Sequence, residues 1–356
     1  MILSGIPLDE IQPKVRKFTT KGVCKYWLFN NWMVSITKYE YARDFLSEPA
    51  NPAFNRALSP EVVGKITIDL MNLLDKLVDQ PFDIFKVMQR TTIQVLGKIA
   101  FSYDFKCLEN LETRHDLIET YIKLLRSLRN PIAFILPWLT AEKEGYEISS
   151  NDLRDELVTF FLAGHDTTSH ALSVVFYYIA KYPIQNKARE EAFSVLGVKG
   201  KIPTSEDLKK LKYINAIIKE SLRLYPSLAI TIPRLNDKEL SYGQIIIPKN
   251  TRTNVNIWAI HHDPENWSDP DIFIPERFLS NENGDNLHAW MPFSSGSRNC
   301  IGQNFSLMEQ RTIISMLLLN YEISLPQKSP HKDKIVLTSG SLISPKNLDL
   351  IFSKRK

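Results

Sequence analysis

The chain has 356 residues and a mass of 41.0 kDa, with 44% hydrophobic and 24% charged residues, proportions that exclude a disordered, fibrous or low-complexity polypeptide. Lys and Arg number 44 against 40 Asp and Glu, and the basic residues are scattered except for Lys354-Arg355-Lys356, which excludes the footprint of a nucleic-acid binder. Three cysteines at wide spacing, Cys24, Cys107 and Cys300, fit neither a disulfide framework nor a zinc knuckle, so each is free to be a ligand in a reducing compartment.

In chain order, the first ten residues hold too short an apolar run to be read as a signal peptide or membrane anchor. Trp27, Phe29, Trp32, Val34 and Ile36 predict a short hairpin, followed by a helix from about Tyr39. From Ser59 to Leu139 the spacing is helical, with Leu70, Leu73, Leu74 and Leu77 at steps of three and four. Ser149 and Asp152 have the form of a capping box opening a long apolar helix to about Lys181, ended by Tyr182-Pro183. Its stretch from Leu157 to Ala180 is interrupted by His165, Asp166 and His170, which favours a helix buried in protein over one buried in lipid.

A second box, Thr204 with Asp207, predicts one helix to Leu224, its stripe being Leu208, Leu211, Ile214, Ile218 and Leu222. The segments 244–247 and 253–257 read as strands of one small sheet. A Pro-rich coil from Asp263 to Ser297 leads to a last apolar helix through Met308, Ile313, Ile314, Met316 and Leu317, then short strands. The texture is mainly α with small β-sheets.

Three constellations carry chemistry. The first is Phe293-x-x-Gly296-x-Arg298-x-Cys300-x-Gly302. A cysteine on a glycine-flanked loop just before a helix meets backbone N–H groups and the positive end of the helix dipole, which favour thiolate. Arg298 has the planar fork that pairs with a carboxylate. Against this stands the ordinary fate of a reduced cysteine, a small buried core residue. The second is Ala163-Gly164-His165-Asp166-Thr167-Thr168, polar residues and a glycine inside an apolar helix, where they cost stability unless partnered. A plain reading has Thr167 bonding back to the Ala163 carbonyl and Asp166 simply paired. The third is Glu220-x-x-Arg223, which shares one helix face, with Pro275-Glu276-Arg277-Phe278 about fifty residues on. Alone it reads as a surface pair. His261 and His262 read as hydrogen-bonding residues and not as metal ligands.

Together these motifs resemble the cytochrome P-450 family, and its eukaryotic, fungal-like branch more than the soluble bacterial one. The match runs from about residue 150 to 325 in the family's order. The resemblance implies a helix-rich cytochrome P-450 fold as a single domain over 1–356, and a haem b cofactor with Cys300 as the iron ligand. It implies that Phe293 shields the sulfur, that Gly296 and Gly302 let the loop turn close to the macrocycle, and that Arg298, and Arg234 in Thr231-Ile-Pro-Arg234, reach the propionates; a solvated strand-edge arginine is the alternative for Arg234. Gly164 would make room for O2, Thr167 would hydrogen-bond the bound oxygen, and Asp166 would relay protons. Glu220, Arg223 and Arg277 would form a buried ion network securing the cysteine loop.

The implied activity is a monooxygenase that inserts one oxygen atom of O2 into a lipophilic small molecule, with NADPH electrons arriving through a reductase. The implied location is the endoplasmic reticulum membrane surface with peripheral membrane contact; a chain without a spanning segment is equally compatible with the cytoplasm. Relative to the family, the chain reads as short: no anchor, no Trp-x-x-x-Arg helix before Ala50, and a segment omitted after Leu139. The alternative function is therefore a non-catalytic, shortened form with weak or no haem binding.

Overall fold

The computed structural model describes residues 23–28, 31–46, 59–100, 103–109, 150–242, 244–280, 284–296, 298–338 and 343–355. The expected joins at Ala50 and after Leu139, and Ser149 of the first capping box, lie outside them. The N-terminal hairpin forms as β1 (Val23–Leu28) and β2 (Asn31–Ile36), followed by α1 (Tyr39–Leu46). Two helices follow, α2 (Pro60–Leu74), with Pro60 in its first turn where its missing N–H costs nothing, and α3 (Ile84–Ala100). A short strand, β3 (Pro81–Asp83), separates them.

The long apolar helix is α4 (Ser150–Lys181), and it is followed by α5 (Gln185–Leu196). The helix expected from Thr204 to Leu224 is two, α6 (Ser205–Lys210) and α7 (Lys212–Leu224), broken where Leu211 takes φ −75° and ψ 73°. The Thr204–Asp207 capping box is present, and the break is held by Glu191 of α5, whose carboxylate accepts from the Tyr213 and Ile214 amides at 2.7 and 2.9 Å. A carboxylate there satisfies orphan donors and meets the positive helix end. The expected apolar stripe is nonetheless buried throughout.

The strand-rich region divides between two sheets, not one. β5 (Leu240–Tyr242) and β6 (Ile245–Ile247) form a hairpin apart, whereas β4 (Arg234–Leu235) and β7 (Arg252–Val255) join the N-terminal hairpin in the order β1-β2-β7-β4. β2 and β7 are parallel, with Ile36 opposite Val255, and the other pairings in that sheet are antiparallel. The predicted strand 253–257 stops at Val255 because the Asn256 side chain accepts from the Ala259 amide and starts α8 (Ile257–His261). After the coil come α9 (Gln303–Asn320), β8 (Tyr321–Ser324) and β9 (Asp349–Lys354), and the last two strands form an antiparallel sheet with β3.

The main core is helical. α4 lies against α3, α7 and α9, and Leu172, Val175, Phe176, Ile179, Ile218, Ile314 and Leu317 are fully or almost fully buried there. Each such aliphatic side chain contributes about 1.5–3 kcal/mol by leaving water. A smaller core joins the four-stranded sheet to the coil around Trp267, Ala289 and Met291, and Trp290 packs against both cores. Among the described residues no helix is long and apolar enough to cross a membrane.

Candidate functional site

The loop 291–302 is folded on itself before α9 begins. The Cys300 amide donates to the Phe293 carbonyl at 2.8 Å, and Gly296 takes φ +76°, a conformation that a side chain would strain. The Cys300 side chain is exposed, yet desolvation by the surrounding protein pushes its thiol pKa up. The amides of Gly302 and Gln303, at the start of α9, act in the opposite direction on the same sulfur. Arg298 is exposed and makes no hydrogen bond or ion pair among the described residues. Phe293 packs edge-on against Trp290, with ring centroids 6.0 Å apart. Gly302 has φ −83°, and an added Cβ would lie 3.8 Å from the Cys300 Sγ, an ordinary contact. The tight turn is made at Gly296.

Behind this loop, Glu220, Arg223 and Arg277 are brought together with almost no exposure. Arg223 forks onto Glu220, Nε to Oε2 at 2.8 Å and Nη2 to Oε1 at 2.9 Å, and Arg277 Nε reaches Oε1 at 3.2 Å. Two guanidiniums against one carboxylate leave a charge unmet in a dry interior. Asp285, which sequence reasoning missed, meets it: its Oδ2 accepts from Arg277 Nη1, and its pKa is held below the usual carboxylate range by hydrogen bonds from Ser268 and Arg277 despite burial. Trp267 lies fully buried beside both guanidiniums, 5.2 Å from that of Arg223 and 6.0 Å from that of Arg277.

His261 carries this network to the cysteine loop. Its Nε2 accepts from the Met291 amide at 3.0 Å, so its Nδ1 carries the proton and donates to the Arg223 carbonyl at 3.0 Å. Burial and the neighbouring His262 and Arg223 hold its pKa well below the ordinary value, consistent with a neutral ring. The Trp290 indole N–H adds a second tie, donating to the Lys219 carbonyl at 2.9 Å. Both histidines are therefore hydrogen-bonding residues, on and next to α8, with His262 Nδ1 2.9 Å from the Trp258 carbonyl.

On the facing helix, Thr167 Oγ1 donates to the Ala163 carbonyl at 2.7 Å, and Asp166 Oδ1 accepts from Gln89 Nε2 of α3 at 2.9 Å, the plain geometry for both residues. The segment is tied on several sides. Thr92 of α3 donates to the His165 carbonyl at 3.1 Å, and Ser227 donates to the Thr167 carbonyl at 2.8 Å. A Cβ on Gly164 would come within 3.3 Å of Leu96 Cδ2, so the missing side chain lets α4 lie close to α3, a reason the sequence did not supply. His165 and His170 are fully buried, and desolvation lowers each pKa to about 4. Arg234 sits on β4, half-buried, its guanidinium 5.8 Å from the Phe45 ring centre. Gln89 and Asp285 gave no local motif, and His261 was read as a hydrogen-bonding residue without its partners being identified.

Three comparisons bear on this arrangement. The family model described as Cytochrome P450 matches residues 123–352. Mouse cytochrome P450 4V2 is 36% identical over 217 residues, and human cytochrome P450 4Z1 is 41% identical over 197 residues. These alignments cover 60% and 54% of this chain but 41% and 38% of those proteins, so the chain spans about two fifths of the length of the curated relatives it matches. A Drosophila melanogaster protein, probable cytochrome P450 4s3, is 38% identical over 208 residues. These relatives are animal proteins, which supports the eukaryotic resemblance and does not support the narrower fungal-like one. Among solved structures, the cytochrome P450DA heme domain superposes with a TM-score of 0.81 at 18% identity, covering 100% of this chain and 93% of that one, which shows the fold.

Proposed function

The chain belongs to the cytochrome P450 family, and from that premise we propose that it holds haem b through a Cys300 thiolate and serves a monooxygenase reaction on a lipophilic small molecule. The observation that carries the reading is the cysteine loop: an exposed cysteine, two backbone amides acting on its sulfur, and a helix N-terminus beside it. These donors favour a thiolate, a soft donor suited to iron. Arg298, exposed and without a protein partner among the described residues, is the cation for a propionate, with Arg234 as the second. When bound, the haem supplies the centre at which O2 is activated, with electrons that originate in NADPH and arrive through a reductase.

The chain's own residues then have definite tasks. Because the Thr167 proton is committed to the Ala163 carbonyl, its oxygen is left to accept, so with haem in place it would act as a hydrogen-bond acceptor on that side and not as a donor. Asp166, held at Oδ1 by Gln89, keeps Oδ2 for carrying a proton toward that point. Glu220, Arg223, Arg277 and Asp285, through His261 and Met291, fix the base of the cysteine loop. A location at the endoplasmic reticulum membrane surface goes with this reading.

A reduced, CO-treated difference spectrum of the reconstituted protein tests it. The chain should give the red-shifted Soret band of thiolate-ligated haem, and Cys300→Ala should abolish it. Retention of that band in the variant would overturn the ligand assignment, and no haem uptake by the unaltered chain would favour the non-catalytic alternative.

A further inference from the structure

The distal helix α4 and the helix α9 that follows the cysteine loop are joined by buried polar groups that the family reading leaves without a task. Thr168 Oγ1 and Ser306 Oγ are 3.0 Å apart, and Gln310 Nε2 donates to Ser306 Oγ, also at 3.0 Å. All three residues are buried, Gln310 completely, among apolar neighbours such as Leu172, Ile313 and Ile314. The remaining acceptor of Gln310, Oε1, has no hydrogen-bond partner among the described residues. Leucine or alanine at these places would fill the same interior without desolvating a hydroxyl or an amide. A buried polar group that costs stability is best accounted for by the specificity of its partner, since a hydrogen bond fixes the register of two helices where apolar contacts tolerate sliding.

The location gives that register a consequence. Thr168 directly follows Thr167, and Ser306 lies in the first turns of α9, its amide bonded to the Gly302 carbonyl at 2.8 Å, two residues from Cys300. The other ties on this part of α4, from Gln89, Thr92 and Ser227, lead to α3 and to the segment after α7. The Thr168–Ser306 bond is thus the one among these that connects the residue beside Thr167 with the helix that carries the cysteine loop. We infer that Thr168, Ser306 and Gln310 form a positioning clamp that sets the separation of Thr167 from Cys300, and with it the height of the slot between them. The inference rests on the haem-binding reading above.

The test uses Ser306→Ala, Thr168→Val and the double variant, with Ser306→Thr and Thr168→Ser as variants that keep the hydroxyls. Two quantities are read: the rate of haem transfer to apomyoglobin, and the ratio of thiolate-type to blue-shifted signal in the reduced CO spectrum. Either hydroxyl deletion should speed haem loss about tenfold, the factor that corresponds to one hydrogen bond's worth of barrier, and should raise the blue-shifted fraction. The double variant should be no worse than Ser306→Ala alone, because that change already removes the Thr168–Ser306 bond together with the one from Gln310. The hydroxyl-keeping variants should restore both readouts. Should Thr168→Val fail to fold, Ser306→Ala with its rescue by Ser306→Thr decides alone. Unchanged haem loss and spectra in Ser306→Ala, or additive effects in the double variant, would overturn the clamp while leaving the haem reading intact. A chain that takes up no haem in its unaltered form would instead overturn both.

Discussion

Replacing Arg223 probes the support behind the cysteine loop where its geometry is most demanding. The guanidinium makes two bonds to Glu220, at 2.8 and 2.9 Å, and three more to the carbonyls of His261, Pro270 and Ile272, at 2.7, 2.7 and 3.2 Å. In Arg223→Lys the charge remains, but an ammonium has three donors at one point, so at least two of the five acceptors lose their partner. At about 1–3 kcal/mol per buried group left unmet, two such groups set the expected cost at roughly 2–6 kcal/mol. Arg223→Ala also removes the charge that balances Glu220, a loss of about 3–5 kcal/mol for breaking a buried pair. The lower end is favoured because Glu220 keeps Arg277 at 3.2 Å and the Ile274 amide at 2.9 Å. Against a typical stability of about 5–15 kcal/mol, either change is large. Urea unfolding followed by tryptophan emission is the assay, since Trp267 lies beside the removed group. The expected order is wild type, Lys, then Ala, with a parallel fall in soluble yield and haem content. Unfolding free energies for both variants within about 0.5 kcal/mol of wild type, the range of ordinary surface changes, would refute the argument.

Other consequences can be checked singly. Glu309 is buried with no partner for its Oε1 among the described residues, and desolvation raises its pKa well above the usual value, so the folded state keeps a proton that the unfolded state releases above about pH 4.5. Stability is therefore lost as pH rises through that range, and Glu309→Gln should stabilise by an amount that grows from pH 5 to 8; a pH-independent difference would count against it. His165 and His170, held neutral to about pH 4, act in the other direction: below about pH 6.5 the unfolded chain gains protons that the folded chain refuses. Urea midpoints should fall between pH 6.5 and 4 by roughly 1 kcal/mol per pH unit for each histidine, and a flat profile would mean that the rings are solvated. Cys107 is buried with its pKa pushed up to about 12, whereas Cys300 is exposed, so iodoacetamide should label Cys300 and spare Cys107 in the haem-free native protein. Thr167→Ala should keep haem but raise the O2 consumed per product formed, measured against an oxygen electrode; unchanged coupling would remove Thr167 from the proton path.

The parts of the site legible in the sequence are those whose chemistry is local along the chain. Cys300 meets the amides of Gly302 and Gln303 two and three residues on, and Arg223 meets Glu220 three residues back, so spacing put each pair within reach, while the burial of the second pair was implied only by the family resemblance. The capping box at Thr204 was legible for the same reason, but the break after Lys210 was not, because the carboxylate that stabilises it belongs to Glu191 on another helix. The single small sheet expected from residues 244–257 became parts of two for a similar reason: β7 is recruited by β2, more than two hundred residues earlier, through main-chain bonds that any side chains allow.

Asp285 shows how far physical accounting extends beyond local pattern. Glu220-x-x-Arg223 with Arg277 sums to one unbalanced positive charge, and a buried network with that sum costs several kcal/mol. The charge therefore demanded a further acid near Arg277, and between Arg277 and Cys300 the sequence offers two, Glu282 and Asp285. Charge alone cannot choose between these and the acids just upstream, Asp269, Asp271 and Glu276, because all carry the same group. What selects Asp285 is a second set of donors: Oδ1 accepts from the Ser268 amide at 2.6 Å and its hydroxyl at 2.9 Å, while Oδ2 faces Arg277. A carboxylate with both oxygens occupied tolerates burial that a singly bonded one would not, so the position of Ser268, seventeen residues upstream, decides which acid completes the network.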